Sequence, residues 1–256
     1  MRILVTFAVD AEFAPWRKLR HFEEVRDGDV TLQRAQVGRA QVDFVITGMG
    51  VENAMRAVDS VMAMKTPYQF CVSAGFAGGL SDNDSIGDIL VAEGVQQLGK
   101  SKTLMCSRNL VYAARGDGAK QIKLFLTSDH VVRTVEEKKQ LAPFAGAVEM
   151  EGFGIASVAQ AHRLPMVAIR VISDTTERDM PIRIDTMVDD KGRVSVGGVV
   201  RQVVRHPLQL PALIRLGRES RTAAEALANF LEAFIKKLSF SSHGWPPPEL
   251  QEVAAR

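Results

Sequence analysis

Cysteine is scarce in this 256-residue chain: Cys71 and Cys106 are the only two, and nothing in their spacing suggests a metal site. That argues against a disulfide scaffold and suits a reducing cytoplasm. No run of residues is long and apolar enough to span a bilayer. A charge excess is also missing: 32 Lys and Arg against 30 Asp and Glu leave a formal +2, so charge gives no reason to expect nucleic acid as a partner. The opening Met1-Arg2-Ile3-Leu4-Val5-Thr6-Phe7-Ala8 is too short for a signal-peptide core and soon meets Asp10 and Glu12, so it reads as a buried first strand. The expectation is a soluble, cytoplasmic protein, at most bound to a membrane face. One α/β domain with a large core is the simplest arrangement at this length.

What is present is organised around residues 147–175. Val148-Glu149-Met150-Glu151-Gly152 delivers two acids flanking a methionine into a small-residue helix. A second apolar run, Pro165-Met166-Val167-Ala168-Ile169-Arg170-Val171-Ile172, then ends in Ser173-Asp174. This is a βαβ pattern with carboxylates at the carboxyl ends of two strands, where open α/β sheets place ligands.

Upstream, Asp10 and Glu12 suit the N-terminus of a first helix, with Pro15 in its first turn. Two or three strands follow, separated by hairpin signals at Asp27-Gly28-Asp29 and Gly38-Arg39. Gly48-Met49-Gly50 leads into a helix over about 52–64. The small-residue shelf Ala74-Gly75-Phe76-Ala77-Gly78-Gly79-Leu80 leaves room for a planar ligand, or simply makes a tight turn between packed strands. Between 97 and 121 the pattern weakens to a short helix near 110–114. A strand over 122–129 and a charged helix over 135–141 come next. Residues 175–195 read as a polar loop able to lie over a site.

Residues 207–237 carry Leu213, Leu216, Ala223, Leu227, Leu231 and Phe234 at helical spacing, which predicts a long amphipathic helix broken near Pro211 or Gly217. Arg201, Arg205, Arg215, Arg218 and Arg221 accompany it. Two readings stand: a helix packed on the sheet, or a basic amphipathic surface meeting a membrane or a lipidic substrate. One domain is expected over 1–237, including this extension from about 205, then a disordered tail over 238–256.

The motifs Val148-Glu149-Met150-Glu151-Gly152 and Arg170-Val171-Ile172-Ser173-Asp174, supported by the Ala74–Leu80 shelf and Gly87-Asp88-Ile89, resemble the nucleoside phosphorylase and nucleosidase superfamily. The methylthioadenosine/S-adenosylhomocysteine nucleosidase branch is the most similar. The likeness covers roughly residues 1–175, and the tail over 207–221 looks like that of the hopanoid-associated phosphorylases. The resemblance implies a three-layer α/β/α sandwich around a central mixed sheet and cleavage of the N-glycosidic bond of a purine nucleoside. The base would be adenine and the 5′ substituent bulky and apolar, adenosylhopane being the case the tail points to. It also implies a homodimer or larger homo-oligomer, with no metal or organic cofactor. Phosphate would be a co-substrate only in a phosphorylase.

Residue by residue, Asp174 matches the acid that protonates the leaving base and Glu12 the base that activates water. Glu151 matches the holder of the ribose hydroxyls, and Met150 packs on the sugar. Ala77 and Gly78 match the shelf beneath the nucleoside. Arg170 is expected to steady the attacking oxygen or Glu12, or else to close an ion pair. Ser173 completes the expected contacts. Plainer roles stand beside these: an N-cap for Asp174, a first-turn acid for Glu12, core filling for Met150, a helix N-terminal acid for Glu149. Two positions depart from the family pattern. Phe76 replaces a small hydroxyl residue near the nucleophile, and Val131 replaces a phenylalanine on the purine. His130 beside it offers partial compensation or is an exposed loop residue. At the strand end where phosphorylases place an arginine stands Ser73, and Arg17 and Arg20 are expected on an exposed helix face, which favours water as nucleophile. Two alternatives remain: a broad salvage nucleosidase, and a nucleoside- or lipid-binding protein that has lost catalysis.

Overall fold

The computed structural model describes residues 1–28, 30–180 and 210–240. Asp29, the larger part of the expected polar loop, Arg201, Arg205 and the tail beyond 240 lie outside the described residues. The chain alternates strands and helices: β1 (Arg2–Phe7), α1 (Asp10–Leu19), β2 (Glu23–Asp27), β3 (Val30–Val37), β4 (Ala40–Ile46), α2 (Val51–Ala63), β5 (Phe70–Gly79) and β6 (Ile89–Gln97). Then come β7 (Thr103–Met105), α3 (Arg108–Gly116), β8 (Lys120–Thr127), α4 (Val135–Leu141), β9 (Ala147–Glu149), α5 (Gly152–Ala161), β10 (Met166–Asp174) and α6 (Leu210–Phe240).

These elements form the expected α/β arrangement about a mixed sheet. The strand order is β10-β6-β8-β9-β5-β1-β4-β3-β2, with β7 on β6. β1, β5 and β10 are buried almost throughout and pair in parallel, as near-continuous apolar runs covered on both faces should. β2, β3 and β4 form an antiparallel meander whose turns use Gly28 and Gly38 at positive φ. α1 packs against α6, and α2 against α5.

The sheet does not stay open. β10 pairs with β5 along one edge and with β6 along the other, so β5, β10, β6, β8 and β9 close into a ring. On the opposite edge β5 meets β1 over Phe70–Ser73 and then β9 at Gly78–Gly79. Between those two partners the edge is left uncovered, and that gap positions the site.

Three local expectations need correction. Pro15 is the sixth residue of α1, beyond its first turn. β7, three residues on the sheet margin, was not foreseen because only β6 pairs with it. α6 is unbroken over 31 residues. Pro211 is its second residue, where a missing N–H costs nothing, and a single mid-helix glycine at 217 costs only about 1 kcal/mol. The helix also takes in Leu238, Ser239 and Phe240, beyond the expected boundary at 237. Its apolar stripe divides. Ala223, Leu227, Leu231, Phe234 and Leu238 are buried, whereas no residue before Ala223 is.

At the margin of the meander, the fully buried Asp43 of β4 accepts from Arg34 (2.6 and 3.0 Å), Arg2 (3.0 and 3.2 Å) and Tyr68 (2.7 Å). Burial alone would raise its carboxyl, but the Arg34 and Tyr68 hydrogen bonds and the two guanidinium charges outweigh it and hold Asp43 below the usual range. A depressed folded-state pKa gives stability that is complete above the unfolded value, 3.8, and lost as pH falls through the folded one. Asp43→Asn is therefore expected to cost about 2–3 kcal/mol at pH 7 by urea unfolding. The difference from the unaltered chain should close below pH 3.8.

Candidate active site

Glu12 occupies the gap on β5. Val9 is the N-cap of α1 and has no side-chain acceptor, so Glu12 turns back: Oε2 accepts from Ala8 N–H (2.8 Å) and Val9 N–H (3.1 Å). Its Oε1 accepts from Phe76 N–H at 2.7 Å. Gly75 makes this approach possible, since a Cβ there would lie 2.8 Å from Oε1. Glu12 is thus both a first-turn acid and a group delivered to the middle strand. Burial raises its carboxyl, and the backbone N–H groups and the Arg170 charge offset this only in part.

β9 ends in Glu149, whose Oε2 accepts from Glu151 N–H (3.0 Å), Gly152 N–H (2.6 Å) and Arg170 (2.5 Å). Thr127 donates to its other oxygen. Glu149 therefore caps α5 while pairing with a buried arginine. Arg170 also donates to Ser73 through its carbonyl oxygen (2.7 Å) and hydroxyl (3.1 Å), and to Ile169 O (3.0 Å). Arg170 thus closes an ion pair; it is not part of the cavity wall, and its charge acts on Glu12 through space.

Two residues on, Glu151 accepts from Gly50 N–H at 2.7 Å, which ties α5 to the Gly48-Met49-Gly50 turn before α2. Burial and then the charge of Glu149 push it up to about 8. At the end of β10, Ser173 donates to Asp174 Oδ1 (3.1 Å), and Lys138 of α4 donates to Oδ2. The second Lys138 contact is to Thr175 O at 2.6 Å. Gly78 gives this pair its room: a Cβ there would lie 3.1 Å from Asp174 Oδ2 and 3.5 Å from Lys138 Cε.

These groups surround one cavity of about 700 Å³. Its wall brings together Glu12, Phe76, Ala77, Gly78, Val131, Met150, Glu151, Ser173 and Asp174. All the expected residues except Arg170 therefore meet at one place. His130 is also in the wall although its side chain is about half exposed, and hydrogen bonds to Glu137 and Asp129 hold it above the usual histidine range. Arg17 pairs with Asp10 on the surface and Arg20 with Glu232 of α6, and neither lines the cavity. Ala11, Ala14 and Pro15 of α1 and Leu213, Ile214 and Leu216 of α6 add a largely apolar stretch of wall, beside which Lys18, Ser220, Arg221 and Glu225 also line the cavity. Among the described residues no cluster of three or more His, Cys, Asp and Glu side chains is arranged to hold a metal ion, and no helix is long and apolar enough to cross a membrane.

Sequence reasoning missed Lys138 and the part played by the first turns of α6. Lys138 stands in Glu136-Glu137-Lys138-Lys139, which looks like a solvated helix face. The available signal was its i, i+3, i+6 alignment with Val135 and Leu141.

Carboxylates at strand ends above a small-residue shelf, with an apolar extension, define a site for a small polar molecule bearing an apolar group. The chain belongs to the phosphorylase superfamily, whose family model matches residues 2–205. It is an enzyme of the nucleosidase and nucleoside phosphorylase class, which breaks N-glycosidic bonds. The 5′-methylthioadenosine/S-adenosylhomocysteine nucleosidase of Shewanella loihica is 28% identical over 178 residues, covering 60% of this chain and 77% of that one. The corresponding nucleosidase of Desulfotalea psychrophila is 27% identical over 180 residues, 61% and 76% of the two chains. Among solved structures, the Helicobacter pylori nucleosidase of the same name superposes with a TM-score of 0.71 at 21% identity, over 93% of this chain and 99% of that one. Futalosine hydrolase of the same organism gives 0.71 at 20%, over 93% and 98%.

Glu151 has a folded-state pKa above its unfolded value of 4.5, so the stability linked to its proton is complete below 4.5 and lost as pH rises towards 8. Glu151→Gln should therefore raise the melting temperature of the ligand-free chain at pH 8 by on the order of 2–4 °C. The gap should narrow as pH falls to 4.5, when both proteins are followed by differential scanning calorimetry.

Proposed function

We propose that the chain hydrolyses the N-glycosidic bond of an adenine nucleoside carrying a bulky apolar 5′ group. The observation that carries this reading is the composition of this cavity: acids at the strand ends and a long, largely apolar wall from α1 and α6. Its volume of about 700 Å³ lies in the upper part of the roughly 300–1,000 Å³ range of small-molecule pockets and exceeds what a bare nucleoside needs.

In this reading Glu151 accepts hydrogen bonds from the ribose hydroxyls and Met150 packs on the sugar. Asp174 gives its proton to N7 of the purine. The electron pair of the C1′–N9 bond leaves with the base, and the ribosyl cation is captured by a water whose proton passes to Glu12. A carboxyl raised by burial suits that task, since a general base works best with a pKa near the working pH. Ala77 and Gly78 support the nucleoside, and Val131 and Phe76 contact it. Water is favoured over phosphate because the groups at the strand ends are acids, which bring an incoming dianion no positive charge. The cavity's cations among the described residues do little to offset this: His130 bonds Asp129 and Glu137, Arg221 bonds Glu225, and Lys18 stands six residues beyond Glu12 on α1.

The tail resemblance names adenosylhopane as one such substrate. Leu210 and Ile214, exposed beside Arg215 and Arg218 on α6, support peripheral contact with an anionic membrane. Residues 1–237 acting as one unit, a homodimer or larger homo-oligomer, and a cytoplasmic location complete the proposal.

The test is adenine release from adenosine, methylthioadenosine and adenosylhopane, each with and without phosphate. Release without phosphate and fastest from adenosylhopane is expected. A strict phosphate requirement would make the chain a phosphorylase, and equal rates on all three would indicate a broad salvage enzyme. Asp174→Asn should lower kcat by ~10²–10⁴-fold while ligand affinity changes little. A variant with undiminished turnover would remove Asp174 from the chemistry.

A further inference from the structure

Among the described residues Lys138 is the one buried ammonium beside the site, with a side chain about 1% exposed. It is not part of the cavity wall; it lies behind Asp174, with its Cε against the position a Gly78 side chain would occupy. A charge so placed is tolerated only when paired and hydrogen-bonded, and its partners here are Asp174 Oδ2 and Thr175 O (2.6 Å). Ser173 holds the other Asp174 oxygen at 3.1 Å, so both carboxylate oxygens are fixed from behind or from the side. The shelf over which a purine would lie is left free.

We propose that Lys138 is a positioning residue for the departure of the base. It orients Asp174 and stabilises the carboxylate that forms as Asp174 gives up its proton. The inference rests on the reading of Asp174 as the acid. Lys138 keeps its own proton throughout, and Asp174 regains one from solvent after the base has left. Because negative charge on Asp174 grows along the reaction, the ammonium interacts more strongly with the transition state than with the protonated acid, which is the condition for accelerating the step. A cation supporting only the fold would aid every substrate equally.

That difference supplies the experiment. The full-length chain and Lys138→Met are compared on methylthioadenosine, whose base must be protonated, and on the 4-nitrophenyl glycoside of 5-methylthioribose, whose aglycone departs as a stable anion. The variant is expected to lose ~10²-fold in kcat on the first, with KM nearly unchanged, and to keep the second within about threefold. In an Asp174→Asn background the same substitution should add no further loss on the first substrate. A thermal melt and the retained glycoside activity show that the variant is folded. Equal losses on both substrates, no loss on either, or an undiminished extra loss in the Asp174→Asn background would overturn the proposal. An unaltered chain that releases neither adenine nor nitrophenol would instead refute the reading of the site itself, a result distinct from any failure of the variant.

Discussion

The buried pair between Arg170 and Glu149 is the contact on which the site depends. It joins the middle of β10 to the end of β9, reaches β5 through Ser73 and β8 through Thr127, and holds the first N–H groups of α5. Two charges taken out of water in this way gain little net stability, but losing one partner costs about 3–5 kcal/mol. Their value here lies in register. Four strands meet at one carboxylate, and Glu151 leaves that point in a fixed direction.

The same pair sorts the acids of the cavity by charge. Arg170 bonds Glu149 directly, so Glu12 and Glu151 feel its charge only at a distance. Both are raised by burial, and Glu151 further by the charge of Glu149. Asp174 faces a separate cation, Lys138. Four carboxylates in one small volume thus have four environments: bonded to arginine, bonded to backbone N–H groups, held by a glycine turn, and backed by a lysine. Different chemical tasks can be divided among like side chains only when their surroundings differ in this way.

The long helix α6 has two functions along its length. From Ala223 onwards it is a core helix, with Trp16 of α1 and Arg20 just beyond that helix bonded to Glu232. Before that point no residue is fully buried, and the helix instead offers Leu213, Ile214 and Leu216 to the cavity. The family match ends at residue 205, before this helix begins, so α6's share of the wall lies beyond the matched residues, although the Helicobacter pylori nucleosidase superposes over 93% of the chain. A stripe that reads as one amphipathic helix is in fact core at one end and lining at the other.

The sequence by itself determined the alternation of strands and helices, since hydrophobic period and glycine or acidic boundaries are local properties of the chain. The resemblance carried by the motifs over 148–152 and 170–174 also brought Glu12, Glu151 and Asp174 forward as a set, Glu12 from the first turn of α1 and the other two from strand ends. Only the tertiary structure decided which of them bonds which cation. Arg170 and Lys138 are 32 residues apart in sequence (170 − 138), and nothing near either indicates that one pairs with Glu149 and the other with Asp174. The closing of the sheet was equally hidden. It depends on β10 pairing along both edges, and on β1 and β9 leaving between them a gap on β5 that Glu12 fills. Local pattern sets what each segment becomes, whereas long-range pairing and burial set what each charged side chain meets.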